Sequence, residues 1–268
     1  MIRILHFSDF HYKNDSDLDF RIAAQDICNQ LKKESIDFAV FTGDLVNSDK
    51  GPAHFMNAKS ILIDPILATL NLPHERFMMV PGNHDKTRDR EMDAIREKFS
   101  SCNSVKELEK ILSDERQRNE SLVDMTNYLE FAESLYGADA HSKFYWSRKV
   151  SVNGKTYGLV GLNSAWRSFD SEKDRGQLLF PIVEVRNAFA DMNDCEMIFC
   201  AMHHDLSDFK NDIEDNMSQI LEKKCSILFT GHYHKCKTRY TYVDNKGFIH
   251  SIAPATYNRY DTGSQYGF

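Results

Sequence analysis

The sequence predicts an α/β protein built on a mainly parallel or mixed sheet. Two observations carry this. Short apolar runs that read as buried strands alternate with runs whose apolar residues recur at helical spacing, and the strand-like runs stop abruptly at polar and turn-forming residues. A third observation interrupts the alternation: residues 88–136 hold no strand candidate and read as a helical insertion. At 268 residues, 41% hydrophobic and 27% charged, the chain has the material for one large domain or two small ones.

Taken in order, Ile2–Phe7 reads as a buried strand, and Leu18–Lys33 carries Ile22, Ala23, Ile27 and Leu31 at helical intervals. Phe38–Thr42 is the second strand. Helical material from Ala53 to Leu70 follows, broken or kinked by Pro65. Phe77–Val80 is the third strand. In the insertion, Leu108, Ile111 and Leu112, then Leu122, Met125, Leu129 and Ala132, repeat at helical spacing amid dense charge of both signs. It reads either as a solvated helical hairpin or as a cap over a cleft. Phe144–Val152 and Lys155–Asn163 flank Asn153-Gly154, a strong hairpin signal. A helix from Gln177 to about Asp191 leads to a strand Met197–Met202, and a helix near Ile213–Lys223 leads to a strand Ser226–Phe229. Arg239–Val243 and Phe248–Ile252 form a last hairpin around DNKG. The final SQYGF reads as the start of a further strand, so the chain is expected to be able to serve as one module of a longer protein.

Composition narrows the function classes. A net charge of -7 argues against a protein held to nucleic acid or anionic lipid by bulk charge. Cys28, Cys102, Cys195, Cys200, Cys225 and Cys236 lie far apart with no CxxC pair and are read as reduced. The apolar start meets Asp9 too early for a signal peptide, and no window approaches a membrane span, so a cytoplasmic protein with no membrane partner is expected.

The chemistry sits at the strand ends. The first strand ends in SDFH (Asp9, His11), the second in TGDL (Asp44), the third in GNHD (Asn83, His84, Asp85), and later ones in MHHD (His203, His204, Asp205) and TGHYH (His232, His234). Six of the eleven histidines fall in these junctions. Singly, each cluster reads as a turn or a helix cap. Jointly, at the carboxyl ends of strands where open sheets form ligand sites, they point to one shared centre. Carboxylate, imidazole and amide donors without thiolate suit Mn, Fe, Zn or Ni better than Ca or Mg alone. Seven or eight donors exceed one tetrahedral ion, and two ions sharing a carboxylate fit the count.

The series DxH, GD, GNHD, a later His and GHxH, in this order from Ile4 to about His234, resembles the motif set of the calcineurin-like metallophosphoesterases. The resemblance implies a two-layer β-sandwich flanked by helices, with a binuclear centre at the strand ends that takes two divalent metal ions, manganese first and Fe, Zn or Ni as alternatives. Carried over by motif, Asp9, His11 and His234 resemble the ligands of one metal, Asp44 the bridging carboxylate, and Asn83, His203 and His232 the ligands of the other. Many relatives have Pro after the His203-His204 pair, where this chain has Asp205.

His84 is then expected to act on the phosphoryl oxygen or the leaving group, held in orientation by Asp85, which has a second reading as a helix cap ahead of Lys86. The nucleophile is expected to be a hydroxide bridging the two metals. Substrate selection is assigned to the walls: Tyr12, Lys13, Lys86, Arg88, Arg90, the segment Asn163–Arg167 with Trp166 and Arg167, His204, and Tyr233. The helical insertion and the NYLEF and GQL segments resemble the phosphodiesterase-like branch of the family. The expected activity is therefore hydrolysis of nucleotide or nucleic-acid phosphodiesters. The alternatives are a phosphomonoesterase, a DNA nuclease acting with a further C-terminal module, and a non-catalytic metal-stabilised interaction domain.

Overall fold

Phe38, Ala39, Val40 and Phe41 are all completely buried, as a strand covered on both faces requires. They form β2 (Phe38–Phe41) at the centre of a three-stranded parallel sheet, between β1 (Ile4–Phe7) and β3 (Phe77–Met79). The computed structural model describes residues 1–14, 18–88, 90–137, 142–169, 173–243 and 246–257, and the SQYGF segment lies outside them. A second sheet has six strands in the order β4-β5-β6-β7-β9-β8, formed by β4 (Tyr145–Val152), β5 (Lys155–Leu162), β6 (Met197–Ala201), β7 (Ile227–Thr230), β8 (Lys237–Val243) and β9 (Lys246–Ile252). Its centre is parallel, and each edge is closed by an antiparallel hairpin. At the first hairpin, Asn153 and Gly154 take φ of 51° and 77°, the left-handed pair that a two-residue turn demands.

The two sheets face each other as a sandwich. The Phe38 ring meets those of Tyr157 and Phe199 at 5.3 Å each, and His6 meets Phe229 at 4.9 Å. Strand β3 is an edge, and its Met79 carbonyl is satisfied by side chains: Trp146 Nε1 donates at 2.9 Å and the Tyr136 hydroxyl at 2.7 Å.

The helices follow the expected pattern, including the break expected at Pro65, with two corrections. The material between β2 and β3 is two helices, α2 (Pro52–Ile61) and α3 (Ile63–Leu70), because Pro65 fits only the first turn of a helix and clashes with a continuous turn behind it. The helix expected from Gln177 starts later, as α8 (Ile182–Ala188). Pro181 holds Phe180 out of helical geometry, and the preceding stretch pairs with Phe209 through Leu178. The insertion is four helices rather than a hairpin: α4 (Asp93–Ser100), α5 (Val105–Leu112), α6 (Glu115–Glu120) and α7 (Thr126–Tyr136). Ser104 and Asp114 accept the backbone N–H of Glu107 and Gln117 and so restart the helix twice. Helices α1 (Leu18–Leu31) and α9 (Asn211–Lys224) bury Ala23, Ile27 and Leu31, and Ile213, Met217 and Leu221, at helical spacing, whereas Ile22, expected with the first group, is exposed.

The insertion is docked rather than free. Asn127 Nδ2 donates to both carboxylate oxygens of Asp49 at 3.0 Å, and the Asp124 carbonyl accepts from Thr87 N at 3.0 Å. Phe55 stacks on Phe131 at 5.3 Å. The six cysteines are free. Among the described residues no helix is long and apolar enough to cross a membrane.

Candidate metal centre

Five loops, following β1, β2, β3, β6 and β7, meet at one end of the sandwich. Their backbone is unusual in a specific way: Asp9, His11, Asp44, His232 and His234 have φ of 56°, 52°, 58°, 68° and 53°. Left-handed geometry at a non-glycine residue costs about 1–3 kcal/mol, so five instances in one place mark a constellation that the surrounding fold imposes. The loops also approach closely. A Cβ on Gly82 would lie 2.1 Å from Asp44 Oδ1, so glycine alone lets the third loop pass the second.

The side chains of the seven predicted ligands gather here. His203 Nε2 stands 3.0 Å from Asn83 Oδ1 and 3.4 Å from Asp44 Oδ2, and His232 Nδ1 stands 3.1 Å from the same Asn83 oxygen. On the other flank, His234 Nε2 is 3.2 Å from Asp9 Oδ1 and 3.3 Å from His11 Nε2, which is 3.8 Å from both Asp9 and Asp44. Asp9, Asp44, Asn83 and His203 are almost wholly buried. Asp9, His11 and His234 form one group and Asn83, His203 and His232 a second, and Asp44 lies between them, 3.8 Å from His11 Nε2 in the first and 3.4 Å from His203 Nε2 in the second.

This set fits divalent cations on its own chemistry. His203 Nδ1 donates to the Thr42 carbonyl at 2.6 Å, which leaves the Nε2 lone pair facing the oxygens of Asn83 and Asp44. Lone pairs turned toward lone pairs in a buried place need a positive charge among them. The titration pattern shows the same demand, met by a proton on His203 Nε2 where a cation would otherwise sit. Burial pushes the Asp44 carboxyl up, but the imidazoles of His203, His11 and His84 outweigh it and hold the group well below the usual carboxylate range. Burial lowers His203, and the charge and hydrogen bond of Asp44, with Asp9 behind, more than reverse this and raise it to about 10.

His84 and Asp85 do not act as a pair. The Asp85 carboxylate turns away and accepts from the backbone N–H of Gly82 (2.9 Å), Val46 (3.0 Å) and Leu45 (3.2 Å), which pins the second loop to the third. Three backbone donors within reach outcompete one imidazole, and no helix starts at Lys86 for Asp85 to cap. Burial and the nearby charge of Asp44 raise the Asp85 carboxyl to about 7 against those three hydrogen bonds. The ring of His84 is held instead by the Asn47 carbonyl, which accepts from Nδ1 at 2.8 Å, while its backbone N–H donates to Asp44 Oδ1 at 2.8 Å. Sequence reasoning missed Asn47, because a backbone acceptor leaves no residue-type signal.

Several predicted wall residues are core. Tyr12 is 1% exposed, stacked parallel to Phe10 with its ring beside His54. Trp166 is 0% exposed, and its indole N–H donates to the Leu179 carbonyl at 2.8 Å. Arg167 is buried between Phe99 and Phe169 and paired with Glu91. Lys86 is buried, donating to the carbonyls of Ser168 (2.8 Å) and Trp166 (3.2 Å). These large side chains fill the interior beneath the site, and their stacking on a substrate base is excluded by that packing. The Lys13 carbonyl accepts from Lys50, and Arg90 is exposed with its guanidinium on Asn127. Tyr233 is partly exposed beside His232, with its hydroxyl on Asp208. Arg88 is exposed, its guanidinium donates to the Asn83 carbonyl at 3.3 Å, and it lines a cavity of about 520 Å³ with Asn47, Ser48, Asp49, His84, Lys86 and Thr87. His204 lies wholly buried against His203 and His232.

Comparison with known proteins agrees with the geometry. The chain is 27% identical over 201 residues to the uncharacterized metallophosphoesterase-like protein YydB of Bacillus subtilis (strain 168), an alignment covering 72% of this chain and 39% of that protein. It therefore spans about two fifths of the length of that relative. A hypothetical protein from Thermus thermophilus superposes with a TM-score of 0.50 over 95% of this chain and 78% of its own at 11% identity, a likeness of fold. The family model for calcineurin-like phosphoesterases matches residues 2–236, and the chain belongs to that family.

Proposed function

We propose that the chain is a metal-dependent phosphoesterase with a two-cation centre, acting on phosphodiesters of nucleotides or nucleic acid. One observation carries the reading: six donor side chains converge around the buried Asp44 carboxylate, the seven together coming from five loops. Asp9, His11 and His234 would hold one divalent ion and Asn83, His203 and His232 the other, with Asp44 between them and manganese the first candidate. When bound, such a pair supplies Lewis acidity that makes water nucleophilic near neutral pH and offsets phosphate charge.

The chain's own residues do the rest. His84 is held at its Nδ1 by Asn47, so Nε2 is free to meet the leaving oxygen and donates to it when the ring carries both protons. Asp85 acts by fastening the loops that carry Asp44 and Asn83. The cavity beside His84 supports a diester reading, since a second organic substituent needs room on the leaving-group side. Arg88 on its wall would offset a neighbouring phosphate. The insertion buttresses that wall through Asn127 to Asp49 and Asp124 to Thr87, which favours a cap over a free hairpin.

The test is turnover by the manganese-loaded chain of bis(p-nitrophenyl) phosphate against p-nitrophenyl phosphate. A higher kcat/KM for the diester is expected. Preference for the monoester would make the protein a phosphomonoesterase, and two bound metals with no turnover of any ester would make it an interaction domain.

A further inference from the structure

We propose that His204 donates a hydrogen bond from Nε2 to an oxygen of the phosphate bound in the centre, and that Ser164 fixes the tautomer that makes this possible. The inference rests on the phosphoesterase reading above. It starts from Ser164, which lies just past the end of β5, is completely buried, and has its hydroxyl among three nitrogens. Ser164 Oγ accepts the backbone N–H of His203 at 3.0 Å and of His204 at 3.2 Å, and stands 3.0 Å from His204 Nδ1. A hydroxyl has two lone pairs and one proton. Both lone pairs are taken, so the proton points to His204 Nδ1, which accepts it. The ring proton of neutral His204 is therefore on Nε2.

That Nε2–H is buried and has no hydrogen-bond partner among the described residues. Its ring packs 4.8 Å from that of His232 and 4.9 Å from that of His203, and one nitrogen from each of the three rings lies within 4.8 Å of the others. The cluster looks like a three-imidazole metal set, but its members differ. Thr42 holds the Nδ1–H of His203 and leaves its Nε2 lone pair free for a cation, whereas Ser164 holds His204 in the opposite tautomer, with a proton where a lone pair would be required. A buried N–H without an acceptor is costly, and a phosphate oxygen is the acceptor that the proposed chemistry brings to this place. His204 then belongs to the substrate and not to the metals, with Ser164 as its positioning residue.

The experiment uses the chain loaded with Zn²⁺, with inorganic phosphate as the probe. In histidine labelled with ¹⁵N, His204 is expected to keep a protonated Nε2 and an unprotonated Nδ1 after metal loading, and its Nε2–H signal is expected to move when phosphate is added. By calorimetry, His204→Phe should weaken phosphate binding about 10- to 100-fold with both metals retained. His204→Gln, which returns an N–H near the same point, should recover most of the loss. Ser164→Ala should lose the single tautomer in the ¹⁵N spectrum and weaken phosphate binding with metal content unchanged. An Nε2 that loses its proton on metal loading, loss of one metal from His204→Phe, or unchanged phosphate affinity in that variant overturns the proposal. Should His204→Phe fail to fold, the spectrum of the unaltered chain decides. Failure of the unaltered chain to take up metal would refute the phosphoesterase reading itself.

Discussion

Replacing His84 by alanine separates chemistry from metal binding, because the structure divides the residue's contacts cleanly. The side chain is half-buried, and its one hydrogen bond among the described residues, from Nδ1 to the Asn47 carbonyl, contributes on the order of 1 kcal/mol to folding. The contact that reaches the centre comes from the backbone: the N–H of residue 84 donates to Asp44 Oδ1, and it survives the substitution. Metal affinity should therefore hold, and the melting temperature should fall by only about 2–4 °C. Loss of proton transfer to the leaving group costs roughly 10²- to 10⁴-fold in kcat, or about 3–5 kcal/mol of barrier. The assay is steady-state turnover of bis(p-nitrophenyl) phosphate alongside metal analysis of the same protein. An unchanged kcat would remove His84 from the mechanism, and loss of metal would place it among the ligands with His11 and Asp44, whose donor atoms lie within 4.8 Å of one of its own.

Two further perturbations follow from the packing. Gly82→Ala puts a Cβ 2.1 Å from Asp44 Oδ1 and 2.4 Å from its backbone nitrogen, so the loops must part; a cost of about 1–3 kcal/mol and weaker metal binding by calorimetry are expected, and an alanine variant with undiminished affinity would contradict the geometry. Lys86 has its ammonium lowered to about 7 by burial and then by the charge of Arg167, so above that pH the unfolded chain binds the extra proton and stability should rise up to the ordinary lysine range. Relative to Lys86→Met, wild type should gain up to about 1.4 kcal/mol per pH unit between roughly pH 7 and 10 in urea unfolding; parallel curves would mean that the carbonyls of Trp166 and Ser168 keep the group charged.

Much of the site was legible in the sequence, since its signal is residue type at strand ends: carboxylate, amide and imidazole placed just past apolar runs. What was not legible depends on backbone shape and competition. Nothing in the letters of Asp9 or Asp44 announces a left-handed φ, and nothing in Asp85 announces that three backbone N–H groups will claim it before His84 can. Tyr12 follows the first motif, and Trp166 and Arg167 follow a strand end, so they read as walls, but large amphipathic side chains fill a core equally well, and packing decides between the two. Ser164 did leave a trace, as a small polar residue directly after a buried strand. The fold was read well where apolar periodicity sets an element, and less well where caps such as Ser104 and Asp114, or a proline such as Pro181, set its ends.

The central claim is that the Asp44 carboxylate is shared by two cations. Anomalous diffraction from crystals soaked in Mn²⁺ tests it directly. Two peaks about 3.5–4 Å apart are expected on either side of Asp44, one among Asp9, His11 and His234 and the other among Asn83, His203 and His232. A single peak, or peaks that leave Asp44 uncoordinated, would contradict it.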